Sequence, residues 1–460
     1  MKIETEPKKI KEDKSYSPPF ADARAGKEDK SSSSPFAVAR AIDEVLTKGV
    51  LEVLPDKEGL KKLMQQKRIR LYLGIDPTGT KLHLGHTVTL RKLQEFADLG
   101  HEAILVIGTG TVLAGDPSAR DKTRPRITKK EIQKNIKTWK AQAGKILDFS
   151  KVKIKYNGDW LLKLTLKEII SIASNLSAVK LFQRDMFQKR LKSGSTVWTH
   201  EILYPLLQGY DSVAMDVDLE IGGKDQTFNM LIGRELQEKM RQREKFVLTM
   251  PMILGIDGKP MSKTSGNCVW IEDSADQMFG KIMSIPDELI IPYFEVLTNL
   301  SFQIPERSEG WRSSKKQVSS PVSPSAQRTN VLRVIQKHKG EFQARNVNPS
   351  DLKKQLAFEI VKNYHSLESA KQAEEEFNRV FKEKKVPLKI PEIKIPEKQI
   401  PLLDLLVKTK LAGSKAEAKR LVLQKGIKIN GKLQKDWKET VQIKKGLVLQ
   451  AGKRKFIKIG

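Results

Sequence analysis

The sequence predicts an α/β fold: a Rossmann-type parallel sheet, followed by a helical region and a small basic α+β module. Two observations predict the sheet. The apolar runs Leu71 to Ile75, Ala103 to Ile107, Val152 to Tyr156 and Phe246 to Leu254 are short and bounded by Gly, Pro or Asp. Helical patterns such as Thr87 to Leu99 and Phe228 to Met240 separate some of them, and such alternation is the signature of βα units. A third observation points to the appended modules, because charge and periodicity change beyond Lys281.

In chain order, residues 1–38 read as a disordered tail. Lys11-Glu12-Asp13-Lys14-Ser15 recurs as Lys27-Glu28-Asp29-Lys30-Ser31, and Pro19-Phe20-Ala21 recurs as Pro35-Phe36-Ala37, so a short polar unit is duplicated. Such a unit buries too little to fold. Residues 39–281 form the expected Rossmann-type domain. Residues 282–386 carry amphipathic helical patterns, notably Pro349 to Tyr364 and Leu367 to Lys382, interrupted by a polar insert over about 303–328. Residues 387–397, rich in Lys-Ile-Pro, read as an extended linker before a last module over 398–460. From Glu397 onward there are 17 Lys or Arg against 5 Asp or Glu, which makes this end the best candidate for RNA binding.

The whole-chain numbers agree with a nucleic-acid partner. Across 460 residues, 84 Lys and Arg face 55 Asp and Glu, a net charge of +29 that suits polyphosphate, since each neutralised phosphate releases counterions. Cys268 is the single cysteine, so neither a disulfide framework nor a cysteine-based zinc site is available, and no metal site is expected. There is no apolar run of about twenty residues and no signal-like start, so no membrane partner is expected and the expected compartment is the cytoplasm.

Two short motifs carry the chemistry. His83-Leu84-Gly85-His86 opens a helix after the Leu71 to Asp76 strand, where an anion would sit, and Met261-Ser262-Lys263-Thr264 offers a lysine in a small polar loop. Gly222-Gly223-Lys224-Asp225-Gln226 lies between them. Paired imidazoles and a lysine suit stabilisation of charge developing on ATP phosphates.

With Tyr72-Leu73-Gly74-Ile75-Asp76-Pro77-Thr78, Gly115-Asp116-Pro117-Ser118 and Tyr204-Pro205-Leu206-Leu207-Gln208-Gly209-Tyr210-Asp211 in the same order, the chain resembles the bacterial tyrosyl-tRNA synthetases. These are class I aminoacyl-tRNA synthetases with a C-terminal S4-like module, here resembled by Ser414 to Leu421, Gly426 and Asn430-Gly431. The resemblance implies two steps: tyrosine attacks the α-phosphate of Mg-ATP, and the tyrosyl group then passes to the end of tRNA(Tyr). No protein nucleophile is needed.

By the same resemblance, His83, His86, Lys263, Thr264, Arg120 and Arg124 are the catalytic set, the two arginines lying on a loop that closes over pyrophosphate. Asp76, Thr78, Gly85, Gly222, Gly223, Asp225, Met261 and Ser262 fall at ATP-binding positions, with Asp225 on the ribose. Tyr72 and Asp211 flank the phenol of the substrate, and Asp116, Tyr204, Gln208 and Gln226 surround its ammonium and carboxylate. Such a site rejects phenylalanine by leaving its buried polar groups unpaired. Lys415, Lys419, Arg420 and Lys425 are the tRNA-binding candidates. The expected partners are tRNA(Tyr), ATP with Mg2+ and L-tyrosine, in a homodimer.

One departure stands out. Pro260 occupies the position where the family's mobile loop usually has a lysine, with Lys259 displaced by one residue, and proline removes both a cation and a backbone donor. A non-catalytic or weakened RNA-binding relative of the family is therefore the alternative. A tryptophanyl-tRNA synthetase fits less well, because Asp211 suits a phenol and the S4-like tail is foreign to it. The H-x-G-H nucleotidylyltransferases are shorter and lack the appendages.

Overall fold

The computed structural model describes residues 35–118, 127–261, 265–300, 348–381, 383, 390–452 and 455–460. The chain divides into two compact units, Met1–His365 and Ser366–Gly460.

The first unit is organised by six strands, β1 (Glu52–Leu54), β2 (Arg70–Ile75), β3 (Glu102–Ile107), β4 (Val152–Tyr156), β5 (Leu219–Gly223) and β6 (Phe246–Met250). Their order is β1-β6-β5-β2-β3-β4, parallel throughout except for the antiparallel edge pair β1 and β6. Three predicted strands recur within a residue. The fourth stops at Met250 rather than Leu254, because Pro251 has no N–H to continue the ladder. The sequence reading lacks β5: Glu220 and Gly222-Gly223 give it the look of a loop, although Glu220 is buried within the strand.

From β2 the chain winds outward through β3 to β4, then returns to lay β5 on the other side of β2. That reversal opens a crevice outside the carboxyl ends of β2 and β5. Helix Leu84–Asp98 packs across β2, β3 and β5 through buried Leu84, Val88, Leu90, Leu93 and Phe96. Helices Thr199–Met215 and Thr227–Arg241 cross closely, and Gly209 permits it: a Cβ there would stand 3.1 Å from the backbone nitrogen of Gly233. Helix Pro349–Tyr364 starts at its predicted residue, with Asn348 capping it, and packs on helices Ala275–Ile282 and Ile290–Leu297.

The second unit carries helix Leu367–Phe381 and a five-stranded sheet of order β10-β9-β12-β13-β7. Its strands are β7 (Glu392–Ile393), β9 (Ile427–Ile429), β10 (Lys432–Leu433), β12 (Val448–Ala451) and β13 (Lys455–Ile459), while β8 (Gln399–Pro401) pairs with β11 (Thr440–Gln442). Leu402, Leu405, Leu406, Ala418, Val422, Ile427 and Leu449 form its core. The expected linker at 387–397 is corrected in part: β7 runs parallel to β13, and Ile395 lies in the core. The Ile-x-Ile alternation places Ile393 and Ile395 on one face, which a short strand can bury. Residues 35–38, expected within the tail, instead begin helix Pro35–Val45, opened by Pro35. The duplicated segment before Pro35 and the insert at 303–328 lie outside the described residues.

Candidate active site

The loop after β2 is held from one side. Helix Lys129–Ala143 sends Asn135, Thr138, Trp139 and Gln142 to the carbonyls of Pro77, Thr80, Gly79 and Thr80, at 2.7, 2.7, 2.6 and 2.8 Å. Gln142 also accepts from the Leu82 amide at 2.7 Å. Five bonds therefore fix the path from Asp76 to His83. Asp76 turns inward, its Oδ1 accepting from Thr111 Oγ1 at 2.7 Å and its Oδ2 from the Tyr204 hydroxyl at 3.0 Å.

His83 caps helix Leu84–Asp98. Its Nδ1 accepts from the Gly85 amide at 3.1 Å, and His86 Nδ1 accepts from the His83 amide at the same distance. An unprotonated Nδ1 in each ring places the neutral imidazole's proton on Nε2, as a donor. The two rings lie 3.9 Å apart, with Trp270 edge-on to His83 at 5.8 Å. A Cβ at Gly85 would come within 2.9 Å of the His83 ring and 3.7 Å of Met261 Sδ, so the glycine leaves space where both motifs meet. Gly85→Ala is expected to slow adenylate formation by about 100-fold while leaving tyrosine affinity within about threefold, because only phosphate donors are displaced. Rapid-quench single-turnover kinetics with tyrosine titration would check the split.

The loop bearing Met261 is tied down on both sides. Leu254 bridges Pro260, Gly255 donates to the Lys259 carbonyl at 2.6 Å, and Asn267 Nδ2 reaches Asp257 Oδ1 at 2.8 Å and the Pro260 carbonyl at 3.0 Å. Beyond it, the backbone of Val269 and Ile271 pairs with Leu84 and Leu82. Pro260 keeps its carbonyl in use, and Lys259 is exposed. Ser262, Lys263 and Thr264, like Arg120 and Arg124, lie outside the described residues.

A buried polar cluster lies behind the crevice. Tyr72 is fully buried, its hydroxyl 3.0 Å from Ser212 Oγ, and burial beside Glu220 and Asp211 raises its pKa well above the ordinary value. Asp211 accepts from Trp160 Nε1 at 2.8 Å and Asn157 Nδ2 at 3.0 Å. Burial, helped by Glu220 and Asp76 and opposed by those two donors, pushes its carboxyl up to about 8. Asn157 also donates to Thr111 Oγ1 at 3.0 Å, so Asp211 and Asp76 share one network. Gln208 Nε2 donates to Glu220 Oε1 at 3.0 Å.

A third group forms around β5. Gln226 Nε2 donates to Asp116 Oδ2 at 2.9 Å and to Asp225 Oδ2 at 3.0 Å, while its Oε1 accepts from Asn229 at 2.9 Å. Asp116 also accepts from the Ser118 amide at 2.9 Å, and Arg184, stacked 4.6 Å over Phe228, donates to Ser118 Oγ at 2.9 Å. Burial lowers the pKa of Arg184. Space is again why glycine is used: a Cβ at Gly222 would stand 2.7 Å from Met230 Sδ, and one at Gly223 2.5 Å from Asp225 Oδ1.

Thus Tyr72, Asp76, Asp116, Tyr204, Gln208, Asp211, Asp225 and Gln226 come together, with Thr78 on the clamped loop. Sequence reasoning missed Thr111, Asn157, Trp160, Ser212, Glu220 and Lys245, which contact them from other segments, and Ser118, Arg184 and Asn229, which are joined to one another and to Asp116 and Gln226. In the second unit Lys415, Lys419 and Arg420 are exposed on helix Lys415–Leu423, and Lys425 is exposed just beyond it. Lys419 stacks 4.2 Å over Trp437, and Lys415 pairs with Asp404 at 2.5 Å.

The chain is similar to known proteins along most of its length. Residues 64–382 match the family described as tRNA synthetases class I (W and Y), and residues 382–459 match the tyrosine-tRNA ligase SYY-like C-terminal domain. Tyrosine-tRNA ligase of Thermotoga maritima is 42% identical over 417 residues, covering 90% of this chain and 96% of that protein. That of Francisella tularensis is 39% identical, covering 90% and 97%. Among solved structures, a C-terminally truncated mitochondrial tyrosyl-tRNA synthetase from Aspergillus nidulans shares the fold with a TM-score of 0.56 at 18% identity, covering 75% of this chain and 94% of that one. Tyrosyl-tRNA synthetase from Archaeoglobus fulgidus, complexed with L-tyrosine, gives 0.54 at 19% identity, covering 73% and 99%. With matches spanning both units and most of each relative, the chain belongs to the class I tRNA synthetases, in the tyrosine-tRNA ligase family.

Proposed function

We propose that the groups outside the carboxyl ends of β2 and β5 activate tyrosine, each in its own role. The chain catalyses the ligation of tyrosine to tRNA: tyrosine and ATP yield tyrosyl-adenylate and pyrophosphate, and the tyrosyl group is then transferred to the terminal adenosine of tRNA(Tyr). Tyr72 and Asp211 face the phenol. Asp116, Tyr204, Gln208 and Gln226 surround the ammonium and carboxylate. The Oε1 of Gln208, shielded from solvent and without a hydrogen-bond partner among the described residues, supports this reading as an acceptor for the ammonium.

His83 and His86 donate from Nε2 to the phosphates as charge accumulates there. Asp225 accepts from the ribose, while Asp76, Thr78, Gly85, Gly222, Gly223, Met261 and Ser262 shape the nucleotide site. Lys263 and Thr264 take the β- and γ-phosphates, and Arg120 and Arg124 close on pyrophosphate. ATP arrives as its magnesium complex, so the ion belongs to the substrate.

The observation that carries the reading is that the Asp76 and Asp225 motifs terminate adjacent strands at the reversal of the sheet, with the Tyr72 cluster behind them. Single-turnover mixing of enzyme with tyrosine and ATP tests it. Stoichiometric enzyme-bound tyrosyl-adenylate is expected. Its absence would favour the RNA-binding relative suggested by Pro260.

For tRNA, residues 282–386 meet the anticodon and residues 398–460 grip backbone through Lys415, Lys419, Arg420 and Lys425. Changing those four cations to glutamine is expected to weaken tRNA binding and flatten its dependence on log salt by roughly three units of slope. Filter binding across a salt series measures it, and an unchanged slope would remove the module from the tRNA path. The chain acts as a cytoplasmic homodimer in this reading. Leu162, Leu166, Ile170 and Val179, all exposed, support an apolar subunit contact.

A further inference from the structure

Glu220 sits inside β5 at 1% exposure, where an unpaired carboxylate would be costly. Its oxygens take two nitrogen donors, with the Tyr72 hydroxyl beside them. Oε2 takes Lys245 Nζ, and Oε1 takes Gln208 Nε2 at 3.0 Å. Lys245, with no exposed surface, also donates to Ser212 Oγ at 2.7 Å and to the Met230 carbonyl at 3.1 Å, so all three of its N–H groups are used. Through Ser212 the same cluster reaches the Tyr72 hydroxyl.

The fold makes room for this group. A Cβ at Gly233 would stand 2.5 Å from Lys245 Nζ and 2.8 Å from Ser212 Oγ, and a glycine within a helix is less favourable than alanine. Stability is a weak reason to keep the pair, because well-packed apolar residues often serve as well as a buried salt bridge.

We infer that Lys245 and Glu220 are positioning residues for amino-acid recognition: together they lock the Gln208 amide so that its oxygen, not its NH2 group, faces the substrate ammonium. The inference rests on the reading of Gln208 as an ammonium ligand. Its logic is one of donors and acceptors. Lysine can only donate, so the atom of residue 220 facing it must accept. A carboxylate accepts at both oxygens, and Gln208 therefore turns its NH2 toward Glu220 and leaves Oε1 for the substrate. An amide at position 220 would give Lys245 its oxygen and turn its own NH2 toward Gln208. Gln208 would then flip and present donors to a cation.

Equilibrium dialysis of the full-length protein tests this, comparing tyrosine with desaminotyrosine, the same molecule without its ammonium. Glu220→Gln is expected to lower the preference for tyrosine by roughly tenfold, with desaminotyrosine affinity within about twofold of wild type. Adding Lys245→Met frees the new amide at position 220 to offer its oxygen to Gln208, so Glu220→Gln/Lys245→Met is expected to recover most of the preference. A purely structural role predicts no such recovery. Gln208→Met separates the two layers: if it leaves the preference intact, the ammonium reading itself fails. If it abolishes the preference while Glu220→Gln preserves it, or while the double variant is as impaired as the single, the positioning role is overturned. Should Glu220→Gln not fold, the double variant decides alone, near-wild-type preference supporting the role and its loss overturning it.

Discussion

Gly108→Ala is expected to reduce adenylate formation by about 100-fold or more and to destabilise the first unit by roughly 1–3 kcal/mol. Gly108 follows β3, and its amide is committed to the Ile75 carbonyl at 2.9 Å, so its backbone is held against the end of β2. An added Cβ would fall on Asp76 Oδ1 and stand 2.5 Å from Thr111 Oγ1. The carboxylate would have to leave, dropping both Thr111 and the Tyr204 hydroxyl. A proposed substrate ligand, Tyr204, would then lose the acceptor that orients its hydroxyl. Single-turnover kinetics and urea denaturation measure the two effects. An adenylation rate within threefold of wild type would contradict the argument.

The second large effect is a pH dependence set by Asp211. In the unfolded chain this carboxyl titrates near 3.8, whereas in the fold burial pushes it up to about 8. Between those values the folded chain binds a proton that the unfolded chain has released. The stability contribution of this group is therefore complete below the lower value, falls as pH rises, and is lost above the upper one. Its slope is on the order of 1.4 kcal/mol per pH unit inside the window. Asp211→Asn carries no titrating group, so the difference in unfolding free energy between wild type and variant is expected to fall steadily from about pH 5 to about pH 8. Parallel curves in urea denaturation across that range would sink the assignment. The same substitution puts an NH2 group, which cannot accept, where an oxygen of Asp211 accepts from Trp160 or Asn157, and discrimination against phenylalanine is expected to drop by roughly 10- to 100-fold.

Much of the framework was legible because local patterns carried it. β2, β3 and β4 announce themselves as apolar runs with sharp ends, and helix Pro349–Tyr364 begins with an Asn-Pro capping pair. The motif residues were legible by their order along the chain, and the crevice collects those that are described. What stayed hidden depends on tertiary meetings. Asn157 lies 54 positions from Asp211 and Lys245 lies 25 from Glu220, separations at which no periodicity points to a partner. β5 was obscured because its second residue is an acid, acceptable only once Lys245 is folded beside it. Gly108 and Gly233 look like ordinary glycines until the side chains that fill their empty Cβ positions are placed. The segment at 387–397 misled for a related reason, its prolines suggesting extension while its isoleucines were core.

The central claim is that this crevice activates tyrosine and discriminates by the buried Tyr72 and Asp211 cluster. Amino-acid-dependent exchange of labelled pyrophosphate into ATP, run with tyrosine, phenylalanine and tryptophan, tests it most directly. Strong exchange with tyrosine alone is the expected result. Comparable exchange with phenylalanine, or none with any of the three, would contradict it.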